Sequence, residues 1–224
     1  MADLYCERLG PGLWAEPLNA VTNLAFLVAA WVCLSIVRRS PNRSGEVTIL
    51  IALIAVIGIG SGLFHTLATT WARVLDVVSI LLFQTWYIWV YARSIILMNW
   101  RWSALLTTGF LVATLIGRQF PAVLNGSLAY APALFALVSL GIYHYWTKKR
   151  GPRMLLLASG VFLLALTFRT IDQAVCPYLW IGTHFLWHLL DAAVLFLVTL
   201  AFVLNRGSPS GDSLIDNHAD VAHD

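Results

Sequence analysis

Charge is what this sequence has least of. Asp, Glu, Lys and Arg make up 11% of its 224 residues, where soluble domains carry roughly a quarter. With 59% hydrophobic residues and a mean hydropathy of +0.78, the class left standing is a polytopic membrane protein. The formal charge of +3 does not point to nucleic acid, because the basic residues fall in short connectors between apolar runs. Cysteine is nearly as scarce. Three cysteines exclude a disulfide framework and leave room for one bridge, which the compartment decides. No removable signal peptide is evident: the start is acidic and polar (Asp3, Glu7, Glu16), and Arg38-Arg39 follows the first apolar run instead of preceding it. No internal repeat is evident.

What is present is a series of apolar runs. Seven can be read, over residues 19–37, 47–68, 74–92, 102–117, 128–146, 154–172 and 178–204. Each approaches the roughly 17–25 residues that a spanning helix needs, the fourth being the shortest. The expected fold is an all-α integral membrane bundle of seven transmembrane helices over 19–204. A segment of residues 1–18 precedes it, and a Ser/Asp/Gly-rich tail over 205–224 is expected to be disordered. Ten Lys/Arg (Arg38, Arg39, Arg43, Arg93, Arg101, Lys148, Lys149, Arg150, Arg153, Arg206) fall on one side, against Arg8, Arg73, Arg118 and Arg169 on the other. That imbalance places the N-terminus outside and the C-terminus in the cytoplasm.

Polar residues inside these runs are expensive, and by default they mark a functional site or a paired interior contact. His184 and His188 lie four apart, on one helical face. Ser61 and His65 repeat the spacing, and Asp76 follows eleven residues later. The topology brings all five to one leaflet. Three neutral imidazoles with an open fourth position form a catalytic zinc arrangement, since structural sites are usually closed by a fourth protein ligand. Water in such a position has its pKa lowered from about 15.7 to about 7. An uncoordinated carboxylate, Asp76, can then serve as general base, and a hydroxyl, Ser61, can donate to a developing oxyanion. Read from the residues alone, this is a zinc amidase or esterase in a membrane. Plainer roles stand beside these: helix packing for Ser61, an N-terminal acid or a partner of Arg73 for Asp76, and interhelical hydrogen bonding for the histidines. Asp191, three residues after His188, can accept from a ligating imidazole or balance another buried group. Asp172 is expected to pair with Arg169, and the Glu16, Asn19 and Asn23 stripe to face the bundle. His144, His218 and His223 do not join the cluster.

The motifs Tyr5-Cys6-Glu7, Glu16-Pro-Leu-Asn19, Gly60-Ser61-x3-His65, Asp76, Phe168-Arg-Thr-Ile-Asp172-Gln-Ala-Val-Cys176 and His184-Phe-Leu-Trp-His188 occur in one order along nearly the whole chain. In this the sequence resembles the alkaline ceramidases, seven-helix membrane amidases. The resemblance implies zinc on His65, His184 and His188, Asp76 as base and Ser61 at the oxyanion. It also implies a lipid drawn from the bilayer as substrate, a ceramide cleaved to fatty acid and sphingoid base; "ceramide" comes from the resemblance only. It further implies a Cys6–Cys176 disulfide. Eukaryotic members hold calcium with N-terminal oxygens. Here Glu7 and Glu16 match, Leu4 and Leu9 stand where ligands belong, and Asp3 is one residue out of register. Two rival readings remain. One is a receptor of the adiponectin-receptor or haemolysin type with a mainly structural zinc. The other is a transporter relaying protons through Asp76, Asp172 and Asp191, against which the clustering in one leaflet argues.

Overall fold

In hydrocarbon a long apolar run satisfies its own backbone groups by forming a helix. The computed structural model describes residues 5–10, 12–39 and 44–206, and among the described residues there is no strand. In order come α1 (Pro17–Thr22), α2 (Leu24–Arg38), α3 (Gly45–Leu67), α4 (Thr70–Ser94) and α5 (Trp100–Gly117). A 3-10 segment (Val123–Tyr130) then leads into α6 (Ala131–Trp146), α7 (Met154–Val175) and α8 (His184–Asn205). Among the described residues, six helical units are long and apolar enough to cross a membrane: Pro17–Arg38, Gly45–Leu67, Thr70–Ser94, Val123–Trp146, Met154–Val175 and His184–Asn205. The protein is an integral membrane protein. The expected fourth span, α5, is the long helix outside that set; its first turn, Trp100-Arg101-Trp102-Ser103, dilutes its apolar content.

Three boundaries differ from the expected ones in ways that shape the site. Between α3 and α4 only Ala68 and Thr69 intervene, so α4 begins a full turn before residue 74. Ala68 is left-handed (φ 48°), and its N–H donates to the Phe64 carbonyl at 2.8 Å, which closes α3. The 3-10 segment is kinked by left-handed Leu124, Asn125 and Gly126. Finally, α8 starts at His184 rather than near residue 178. The break after Cys176-Pro177 and a left-handed Gly182 (φ 65°) turn the chain there, and a Cβ at Gly182 would strike Asp172 and Cys6.

The core runs along α3 and α8, with α2, α4 and α7 packed around them. Small residues let membrane helices approach closely. Gly60 of α3 is such a point: a Cβ there would sit 3.2 Å from the Leu75 side chain and 3.3 Å from the Asp76 nitrogen. The backbone bearing Asp76 therefore rests directly on the turn that carries Ser61 and His65.

Candidate metal centre

The i, i+4 spacing on α8 stacks His184 and His188 on one face, and the last turn of α3 presents His65 to them. Ring centroids lie 4.7 Å apart for His65–His188 and His184–His188, and 5.2 Å for His65–His184. One nitrogen from each ring lies within 4.8 Å of the others, and no other group of histidine, cysteine or carboxylate ligand atoms among the described residues does this. The three residues are 1–2% exposed, so an imidazole nitrogen with no partner carries a desolvation penalty. His184 Nδ1 and His188 Nε2 are in that position. Buried nitrogens that converge without protein partners fit a metal ion, and an all-imidazole donor set suits zinc.

Two of the rings are oriented by hydrogen bonds from α1 and its N-cap. His65 Nδ1–H donates to Glu16 Oε2 at 2.5 Å, leaving Nε2 for the cluster. His188 Nδ1 lies 3.0 Å from the Thr22 hydroxyl oxygen. That hydroxyl donates to the Leu18 carbonyl at 2.7 Å, so it accepts from His188 Nδ1–H, consistent with the unpartnered Nε2. These contacts set the tautomer, as outer partners of metal-ligating histidines do. Thr22 was not foreseen. It lies one helical turn past Asn19, on a face already identified as bundle-facing, and that periodicity was the only available signal.

Asp76 and Ser61 flank the cluster without entering it. Gly60 brings the backbone of Asp76 against the α3 turn that carries Ser61 and His65, which sets all three at one end of the α3–α4 pair. Asp191 is 5% exposed and lines an apolar cavity below the histidines. It makes no hydrogen bond to His184 or His188; the imidazole partners are Glu16 and Thr22 instead.

Asp172 does not pair with Arg169, and this corrects the expectation. Its Oδ1 accepts from Thr183 N (2.7 Å) and His184 N (3.0 Å), and its Oδ2 accepts from Cys6 N (3.1 Å). It thereby caps α8 from α7, satisfying N–H groups the helix cannot, and positions the first turn that holds His184. Arg169 instead donates to the Asn125 carbonyl (2.9 Å) and the Ser127 hydroxyl (2.8 Å), and stacks over Tyr130 and Trp187. Beside Asp172, Cys6 and Cys176 form a disulfide with Cα atoms 5.4 Å apart. The bridge straps the N-terminal segment over the histidines, where the Tyr5 ring stacks on His184 at 3.8 Å. Burial holds the Tyr5 phenol well above its ordinary pKa, so the ring covers the site as a neutral group.

Of the residues considered for calcium, Asp3 lies outside the described residues. Glu7 accepts from Leu18 N (2.6 Å) and Asn19 N (2.8 Å), capping α1. Glu16 is held by Arg8, His65 and Asn19. His144 stays at the far end as a core histidine, between the Tyr91 hydroxyl (2.7 Å) and the Arg150 carbonyl (3.1 Å). His218 and His223 lie outside the described residues.

A membrane helix bundle with a buried three-histidine centre and an unligated carboxylate beside it has the equipment of an intramembrane metallohydrolase. Comparison with known families makes this specific. The family model described as Ceramidase matches residues 10–212, nearly the full chain, and the protein belongs to the ceramidase family. Membership makes it a hydrolase of amide bonds acting in a membrane. No curated protein and no solved structure matches the chain.

Proposed function

We propose that the protein is a zinc-dependent amidohydrolase that cleaves ceramide, or a closely related N-acyl lipid, to a fatty acid and a sphingoid base or amine. In this reading the chain crosses the bilayer seven times, α5 being the fourth span, with its N-terminus outside and residues 205–224 in the cytoplasm. The observation that carries it is the convergence of three buried imidazoles, two of them with a nitrogen that has no protein partner, with Asp76 left outside the donor set.

Zinc held by His65, His184 and His188 would act as a Lewis acid and bring the pKa of a water at its open position to about 7. Glu16 and Thr22 keep His65 and His188 turned toward that position. The Asp76 carboxylate takes a proton from the attacking water as its oxygen bonds to the amide carbon. The Ser61 hydroxyl donates to the carbonyl oxygen as negative charge develops there. Asp76 then returns the proton to the leaving nitrogen and the C–N bond breaks. A narrow cavity of about 60 Å³, lined by Ile57, Ile80, Phe83 and Val198 with Asp191 at its wall, lies in the bundle interior one helical turn along α8 from His188.

The test is elemental mass spectrometry on detergent-purified protein, followed by lipid-amide turnover. We expect about one zinc per chain, lost in His65→Ala and His188→Ala. Asp76→Asn should retain zinc while turnover falls by about 10²–10⁴-fold, the contribution typical of a positioned acid–base group. Absence of zinc from well-folded parent protein overturns the reading; undiminished turnover in Asp76→Asn overturns the role of that residue.

A further inference from the structure

The metal-facing histidines are supported by a charged group that the proposed chemistry does not use. Arg8 lies in the N-terminal strap, two residues past Cys6, and is 5% exposed. Its Nε–H donates to Glu16 Oε1 in a buried ion pair. Its Nη2 donates to the backbone carbonyl of His65 at 2.9 Å. The second oxygen of Glu16 accepts from His65 Nδ1, and Asn19 Nδ2 donates to the same oxygen at 3.1 Å. One guanidinium thus grips both the main chain of a candidate metal ligand and the carboxylate that orients its ring. A planar fork can do this where an ammonium cannot, because its donors leave in fixed directions. A carboxylate as buried as Glu16 needs such a counter-charge, since an unpaired ion there would be strongly destabilising.

We infer that Arg8 is a positioning residue for zinc: its guanidinium acts through Glu16 to fix His65 in the ligating orientation, as the resident cation of the N-terminal strap. Among the described residues, the carboxylates in reach of the strap already have partners. Glu16 is taken by Arg8, His65 and Asn19, and Glu7 by the first turn of α1. Zinc affinity and turnover are therefore independent of added calcium. The inference rests on the zinc reading above.

The experiment is zinc affinity by competition with a chromophoric chelator on the purified full-length protein, with thermal unfolding and size exclusion as checks of folding. Parent, Arg8→Gln, Arg8→Lys, Glu16→Gln and the Arg8→Gln/Glu16→Gln double variant are compared, with calcium and with a calcium-selective chelator. Loss of an outer partner of a ligand typically weakens metal binding about 10–100-fold, and that is the loss expected for Arg8→Gln. Arg8→Lys, which keeps charge but not the fork, should fall between Arg8→Gln and the parent and covers the case in which Arg8→Gln fails to fold. If Arg8 acts through Glu16, the double variant binds zinc no more weakly than Glu16→Gln alone; a strap that is merely structural makes the two losses add. The inference is overturned by an Arg8→Gln or Arg8→Lys variant with parental zinc affinity, by additive losses, or by parental zinc binding that needs calcium. Parent protein without zinc removes the functional reading as well, whereas zinc-loaded parent with any of those outcomes removes this inference alone.

Discussion

At the residue scale, the centre depends on which nitrogen of each imidazole carries the proton. His188 presents Nε2 because its Nδ1–H is taken by Thr22, whose own hydrogen goes to the Leu18 carbonyl. Replacing Thr22 by Val keeps the shape and removes the acceptor. We expect zinc affinity to fall about 10-fold, at the lower end of the effect of such outer partners, with the bundle intact by thermal unfolding. Unchanged affinity in a chelator competition would show that packing alone orients His188. The histidines, Ser61 and Asp76 were legible as a set because residue spacing and topology put them at one depth. Thr22 and Arg8 were not, since each supports the site from a segment remote in sequence.

At the element scale, Asp76 is carried by the approach of α3 and α4, which the absence of a side chain at Gly60 permits. Gly60→Val would force α4 away from α3. His65, on α3, and the α8 histidines are not moved by that displacement, so zinc content should hold while turnover falls. Misplacing a reacting group by about 1 Å can cost on the order of 10²-fold, and a loss of that size is expected. Parallel loss of zinc would mean that α3 itself has shifted. The α7–α8 pair shows why local pattern was insufficient here. Arg169 and Asp172 are three apart and of opposite charge, yet Asp172 faces the opening turn of α8 and Arg169 faces the 3-10 segment. Three unpaired N–H groups made a stronger demand on the carboxylate than a cation whose needs other acceptors meet.

On the scale of the whole molecule, the interior cavity meets a second apolar space between α5 and α6, of about 690 Å³. Ile88, Phe110, Ala136 and Leu140 line both. An outlet toward the lipid side suits a substrate whose chains are already in the bilayer. Ala136→Trp would fill the junction without approaching the histidines. Hydrolysis of long-chain lipid amides should then fall several-fold while kcat/KM for a short-chain amide and zinc content stay at parental values. Equal loss on both substrates would show that the path does not run through this junction.

The sequence by itself determined the membrane class, the helical architecture and the three histidines that cluster. Spanning length, the 3.6-residue period and the cost of polar groups in hydrocarbon are local constraints, written into each run separately. Only the tertiary structure decided the partners: Asp172 to α8, Glu16 to His65 and Arg8, Thr22 to His188, and Asp191 to the cavity wall. A hydrogen bond in a desolvated interior goes to whichever group the rotation and approach of neighbouring helices bring within about 3 Å, and that geometry belongs to the packed bundle rather than to any one segment.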